Sequence, residues 1–287
     1  MYYTMEAHKF SKSDLKKLYV PPVHSKGEDN GQVTIIGGST LFHGAPLFGV
    51  KIASRIVDMV FFGTPEESVG KVAEQMKSDL LSFIWVPWDD LDEYIQKSDS
   101  ILVGPGFLRF KSERVPHGDR MHVCDEACQK TRQITKHVLT EHPEKRWVID
   151  AGSLQTMVPQ WIPPQAILTP NPKEYSLLFA DIDIEDASKE FNCIIVRKGP
   201  TTVVCSPHQK VEIEGGNPGL TKGGTGDVQA GLTVALLAKN DPFLAACTSA
   251  FVVKAAADEL YKKVGVNYNA DDLCNEIPYV LSQLTSS

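Results

Sequence analysis

Twelve residues, Gly216-Asn-Pro-Gly-Leu-Thr-Lys-Gly-Gly-Thr-Gly-Asp227, hold five glycines and run straight into the apolar helical pattern Val228 to Ala238. A glycine-rich turn that opens a helix leaves backbone N–H groups unpaired at the positive end of the helix dipole, which makes an anion site. Asp227 stands at the mouth of that site. A carboxylate beside a phosphate cradle is electrostatically costly unless it takes part in the chemistry, and proton acceptance is the chemistry that suits it. Asp is also a favoured helix N-cap. A lone Gly-Asp pair fits either role; the surrounding glycines favour the base.

Further polar signals follow short apolar runs: Gly37-Gly38-Ser39, Gly104-Pro105-Gly106, Asp150-Ala-Gly152, Thr169-Pro-Asn-Pro-Lys-Glu174 and Lys198-Gly-Pro-Thr-Thr202. Turns use these residue types anyway, but so many at strand ends exceed what chain reversal needs. Asn171 and Glu174 are three apart at a helix start, which puts two oxygen-bearing side chains on one face. Hard oxygen donors suit Mg²⁺ shared with water and phosphate. The same spacing is a capping box, and the pattern serves both. Lys198 ends a strand beside Gly199 and is placed to meet a phosphate or ribose. No G-x-x-x-x-G-K-[S/T] element occurs, and Gly104-Pro-Gly-Phe-Leu-Arg109 lacks the third glycine of the dinucleotide fingerprint. His43 lies in the turn after the first of these runs, where a surface histidine is the plainer reading.

The elements that must position these residues alternate. Strands are expected at 33–36, 58–62, 82–86, 100–103, 147–149 and 166–168, and helices at 45–57, 66–80, 89–96, 121–139 and 173–179. Strands 193–197, 202–205 and 210–213 follow through tight turns, an antiparallel run. Helices 227–238, 242–262 and 270–284 close the chain. Alternating β and α segments imply a mostly parallel sheet covered by helices on both faces, and in such sheets ligands bind beyond the carboxyl ends of the strands. Residues 31–287 read as one domain, preceded by an N-terminal arm or helix over 1–30.

The bulk composition narrows the class. The chain has 287 residues, 42% hydrophobic and 23% charged, with a net charge of −7. An acidic chain is a poor partner for nucleic acid or an anionic membrane. It has no apolar run of membrane-spanning length and a polar start, so a cytoplasmic protein with its six cysteines reduced is expected. Cys124 and Cys128, with His122 nearby, have no second ligand pair of matching spacing and read as structural.

Taken in order, Gly37-Gly-Ser39 with Gly44-Ala45, Gly104-Pro-Gly106, Asp150-Ala, Thr169-Pro-Asn-Pro-x-Glu174, Lys198-Gly199 and Asn217-Pro-Gly…Gly223-Gly-Thr-Gly-Asp227 resemble the ADP- or ATP-dependent NAD(P)H-hydrate dehydratases. The resemblance runs from about Val33 to the C-terminus. It implies a ribokinase-like α/β/α sandwich, and a repair reaction in which hydrated NADH or NADPH is phosphorylated on its ring hydroxyl from ADP or ATP with Mg²⁺ and then loses phosphate. By the same resemblance Asp227 is the base, and Gly223 to Gly226, notably Gly224 and Gly226, hold the transferring phosphoryl group. Lys198, Gly199, Pro200, Thr201 and Thr202 with Gly226 bind the adenine nucleotide. Ala45, Gly106, Asn171 and Asp227 meet the hydrated dinucleotide, and a homo-oligomer is implied.

The chain departs from the family pattern in four places. The usual Asp-Ala-Asp is here Asp150-Ala-Gly152, one carboxylate short. Asn171 stands where many members have His. Lys222 occupies a position usually small, and would aid or crowd a phosphate. Phe42-His43 replaces a Tyr. Two other readings therefore stay open: a ribokinase-like kinase for a vitamin precursor or sugar alcohol, and a nucleotide sensor without turnover.

Overall fold

The structure is a computed structural model and describes residues 8–109 and 124–286. Its frame is a ten-stranded sheet: β1 (His8–Lys9), β2 (Gln32–Ile36), β3 (Met59–Gly63), β4 (Ile84–Val86), β5 (Ser100–Val103), β6 (Arg146–Ile149), β7 (Ile167–Leu168), β8 (Ile194–Arg197), β9 (Thr202–Cys205) and β10 (Lys210–Ile213), in spatial order β1-β10-β9-β8-β7-β6-β5-β2-β3-β4. All pairings from β4 through β8 are parallel; β9 runs antiparallel to both β8 and β10. The expected mixed α/β sheet, with its antiparallel part at one end, is thus present.

The period-2 pattern of the strands sorts their side chains to two faces. Val33, Ile35, Leu102 and Val148 face one core with α1 (Gly44–Ala53), α2 (Glu67–Met76), α8 (Thr225–Leu237), α9 (Pro242–Val264) and α10 (Ala270–Thr285). Ile36, Ile101, Val103 and Trp147 face the other with α3 (Leu91–Lys97), α4 (Glu126–Glu141), α5 (Ala151–Thr156), α6 (Pro172–Phe179) and α7 (Ile184–Glu190). These are the three layers of an α/β/α sandwich.

Strand β2 lies between β3 and β5, so the chain winds one way to β4 and then returns past β2 to β5. This is a topological switch point, and the crevice above it is where open sheets bind ligands. Two glycine turns meet there: Gly38 N donates to Pro105 O at 2.8 Å and Gly104 N to Ile36 O at 3.0 Å.

Several elements went unforeseen. Helix α5 is six residues of Ala-Gly-Ser-Leu-Gln-Thr, poor in helix formers, and starts on Ala151 at φ +48°. Helix α7 was also missed, although its cap is ordinary: Asp183 accepts from Glu185 N. Before β2, residues 8–9 pair with β10, and a 3₁₀ helix over Lys12–Lys17 buries Leu15 against α9 and α10. The expectation of six reduced cysteines is corrected: Cys124 is disulfide-bonded to Cys128 at the start of α4, while Cys193, Cys205, Cys247 and Cys274 are free and buried. A four-residue spacing on a helix entry lets the two sulfurs meet locally. His122, most of the 107–118 loop and the first residues of the 121–139 helix lie outside the described residues.

Candidate active site

Helix α8 begins at the glycine-rich loop, and its cap is Gly224, not Asp227. Gly224 takes φ +91°, a left-handed conformation that glycine adopts without strain, and a Cβ there would stand 2.6 Å from Phe48 and 2.8 Å from Ala270. No side chain caps the helix. The amide of Thr225 donates to Lys222 O at 3.4 Å, and those of Gly226 and Asp227 carry no side-chain cap and are available to an anion. The loop is held from both sides. The single Thr225 Oγ1 proton is shared between Leu220 O (2.7 Å) and Lys222 O (2.8 Å); Asn217 Oδ1 accepts from Gly219 N (3.0 Å) and from the Tyr268 hydroxyl (2.8 Å).

Helix α8 is buried all round, as its apolar sequence requires. It crosses α1 at glycine: a Cβ on Gly231 would lie 2.5 Å from the Cα of Gly49. That close crossing sets the N-termini of α1 and α8 side by side, and between them opens a cavity of about 370 Å³. Ala45, Gly106, Gly223, Gly224 and Asp227 line it, so four of the glycine and alanine positions singled out from sequence converge with the carboxylate.

Asp227 sits in the first turn of α8. Loss of surrounding water, and then the charge of Asp150, push its carboxyl up to about 7; Lys198 and Arg109 pull against them. A carboxylate poised there accepts a proton near neutral pH. Lys198 Nζ bonds Asp150 Oδ1 at 3.0 Å, and a Cβ on Gly226 would lie 3.4 Å from the same nitrogen. The ammonium therefore lies beside the first turn of α8. Thr169 Oγ1 gives Asp150 Oδ1 a second hydrogen bond, 2.8 Å. Burial opposes the charge on Lys198, but Asp150, Glu174 and Asp227 outweigh it and hold its pKa above the ordinary lysine value. Three carboxyls thus gather around the Lys198 ammonium, with the Arg109 guanidinium as a second cation near Asp227.

Asn171 and Glu174 form a full capping box on α6. Asn171 Oδ1 accepts from the amides of Lys173 (2.9 Å) and Glu174 (3.0 Å), and Glu174 Oε2 accepts from Asn171 N (2.8 Å). Gln155 donates to the other Glu174 oxygen at 2.9 Å, and burial raises the Glu174 pKa. Neither residue lines the cavity. Among the described residues, no cluster of three His, Cys, Asp or Glu side chains is arranged to hold a metal by itself.

Lys198, Gly199, Pro200 and Thr201 form the β8–β9 turn with Thr202 opening β9; only Lys198 reaches toward Asp227, and Pro200 and Thr201 are exposed. The Lys222 ammonium donates to Tyr268 O at 2.6 Å and also to Val266 O. Sequence reasoning missed Arg109, Phe48 and Ala151, which line the cavity, and left His43, also in its wall, as a surface residue. Arg109 follows the Gly104-Pro-Gly turn by three residues, a signal that was present but unread.

Comparisons with known proteins identify the family. A family model described as NAD(P)H-hydrate dehydratase matches residues 33–279. The bifunctional NAD(P)H-hydrate repair enzyme Nnr of Methanocaldococcus jannaschii is 33% identical over 278 residues, covering 93% of this chain and 51% of its own length. The chain thus spans about half the length of the bifunctional relatives it matches. The ADP-dependent (S)-NAD(P)H-hydrate dehydratase of Nitrosopumilus maritimus is 27% identical, with 96% of this chain and 97% of its own covered. In fold, the chain is similar to a ribokinase-like superfamily protein of Enterococcus faecalis (TM-score 0.81, 20% identity, 100% of this chain and 99% of that one). It is likewise similar to the ADP/ATP-dependent NAD(P)H-hydrate dehydratase of Bacillus subtilis co-crystallised with ATP/Mg²⁺ (TM-score 0.77, 22% identity, 98% and 100%). With a ribokinase-like fold, a glycine-capped helix start at the cavity and a family match over most of its length, the chain belongs to the NAD(P)H-hydrate dehydratase family.

Proposed function

We propose that the chain converts hydrated NADH or NADPH to NAD(P)H with ADP or ATP as phosphoryl donor. The observation that carries this is Asp227, a carboxyl with a pKa near 7 at a glycine-capped helix start, opening on a cavity of ligand size. Asp227 accepts the proton of the ring hydroxyl. The freed oxygen attacks the terminal phosphorus, and AMP or ADP leaves. The Gly223–Gly226 amides hold the phosphoryl charge as it passes, which is where transferring phosphoryl groups need donors. The ring carbon–oxygen bond of the phosphate ester then breaks, the adjacent ring carbon gives up a proton, and inorganic phosphate departs.

Ala45 and Gly106 offer the dinucleotide close backbone approach; at Gly106 a Cβ would lie 2.7 Å from Phe42 O. Lys198 to Thr202 and Gly226 take the adenine nucleotide. The excess of carboxyls around Lys198 fits a divalent cation. Mg²⁺ would be held chiefly by nucleotide phosphates and water and would supply positive charge to the phosphates; Asn171 and Glu174, engaged in the α6 capping box outside the cavity wall, would be reached only through bridging water. The same reading makes residues 31–287 the catalytic unit and 1–30 an N-terminal arm, of which His8–Lys9 pair with β10 and Leu15 is buried, in a cytoplasmic homo-oligomer. Among the described residues, no helix is long and apolar enough to cross a membrane.

The test is stoichiometry. Purified protein with hydrated NADH and ADP or ATP should release one phosphate and one AMP or ADP per NADH formed. Nucleotide consumption with a stable phosphorylated product other than NADH would instead favour a small-molecule kinase of the same fold.

A further inference from the structure

Lys254 lies on α9, far from the glycine-rich loop in sequence, and is only 6% exposed. Its ammonium donates to three backbone carbonyls: Pro200 O at 2.6 Å, Gly215 O at 2.9 Å and Gly199 O at 3.2 Å. These use all three of its donors. Two of the carbonyls belong to the β8–β9 turn, and the third to the segment that leads from β10 into the glycine-rich loop. The backbone is shaped around the lysine stem. Gly215 and Gly216 take φ +93° and +78°, and a Cβ on Gly216 would lie 3.1 Å from Lys254 Cγ.

One helical turn further on, Asp258 continues the arrangement. Its Oδ2 accepts from Gly216 N at 3.0 Å and its Oδ1 from Asn217 Nδ2 at 3.3 Å. One face of α9 thus presents a cation to carbonyls and an anion to N–H donors: Lys254 joins the β8–β9 turn to Gly215, and Asp258 holds the adjoining Gly216–Asn217. A buried ammonium whose hydrogen bonds all go to carbonyls is costly to desolvate, and burial lowers its pKa against the opposing charge of Asp258. An apolar residue would fill the volume, so the charge points to a demand for fixed backbone geometry.

We propose that Lys254 is a positioning residue that holds the Gly199–Pro200 turn against Gly215, and so fixes the wall that receives the adenine nucleotide. The inference rests on assigning the β8–β9 turn to that nucleotide. Without Lys254 the three carbonyls lose their shared donor and the turn is released from the glycine-rich lead-in. Asp227, the α8 amides and the α1 side of the cavity are untouched.

The test compares wild type with Lys254→Met and Lys254→Arg. Calorimetric binding of ADP and of ATP should weaken by about tenfold or more in Lys254→Met. With hydrated NADH, its KM for nucleotide should rise in parallel, while kcat at saturating nucleotide stays within about threefold and KM for hydrated NADH is unchanged. Amide exchange at 199–201 and 215–216 should speed up selectively. Lys254→Arg, which keeps the charge but not the donor geometry, should show a smaller loss. Wild-type nucleotide affinity in folded Lys254→Met overturns the proposal, and so does wild-type affinity in Lys254→Arg should the methionine variant not fold. A wild-type protein that binds ADP or ATP but leaves hydrated NADH unchanged removes the dehydratase reading, and the affinity comparison still decides the role of Lys254. A wild-type protein that binds neither nucleotide overturns both.

Discussion

Gly152 packs directly under the backbone of Phe107: a Cβ at position 152 would stand 2.4 Å from the Phe107 carbonyl oxygen and 2.7 Å from its Cβ. The amide of Gly152 meanwhile donates to Gly104 O at 3.3 Å. The glycine that replaces a carboxylate of the family pattern is therefore demanded by the Gly104–Phe107 turn resting on it. The absence of that carboxylate thus has a packing counterpart in this chain, while the site itself remains one carboxylate short of the family pattern.

Restoring a side chain there should consequently do harm. Gly152→Ala and Gly152→Asp are both expected to destabilise the protein by roughly 1–3 kcal/mol, the range for overpacking a well-filled site. Thermal unfolding measures it, and activity should fall as the turn carrying Gly106 shifts. An aspartate variant as stable as wild type and more active would contradict this packing account.

Asp227→Asn keeps the size of the side chain and removes the base. We expect kcat to fall by about 10²–10⁴-fold, the usual worth of a general base, with nucleotide affinity by calorimetry retained.

The pH dependence follows from the same group. Its pKa in the folded protein is about 7, raised from the ordinary aspartate value of 3.8. The plot of kcat/KM against pH should therefore rise to a plateau with a midpoint near 7, because only the ionised form accepts a proton. Stability runs the other way. A raised carboxyl pKa favours folding at low pH, and that contribution is lost as pH rises from about 4 through about 7. Asp227→Asn should then unfold at a higher temperature than wild type at pH 8, by the equivalent of roughly 2–4 kcal/mol, and show little difference at pH 4. Equal unfolding temperatures at pH 8 would mean that the carboxyl is not held in the strained ionised form.

Lys198→Met removes the ammonium that lowers the Asp227 pKa and pairs with Asp150. The acid limb of kcat/KM should move to higher pH. Because Asp150 is 2% exposed, stranding its carboxylate should cost about 3–5 kcal/mol. An unchanged pH profile would detach Lys198 from Asp227.

The chemistry of the site was legible where backbone conformation demands glycine. Gly224 at φ +91° and Gly106 at φ +77° are positions whose conformation singles out glycine, and both stood out as sequence signals. Strands β9 and β10 fall on the residues expected from alternation and turns. Helix α5 was not legible, because its Ala-Gly-Ser start rests on a left-handed Ala151 that the strand-end turn imposes. The Lys198–Asp150 pair spans 48 residues and depends on β7 lying between β6 and β8. Lys254 reads as an ordinary helix lysine until α9 is laid over two loops. Side-chain types near the glycines could be read locally; their partners were set by strand order.

The central claim is most directly tested by following the near-ultraviolet absorbance of reduced nicotinamide while purified protein acts on hydrated NADH with Mg²⁺ and ADP or ATP, beside Asp227→Asn. The account predicts a rise that requires nucleotide and nearly vanishes in the variant. A flat trace from folded wild-type protein, with hydrated NADH confirmed present, would contradict it.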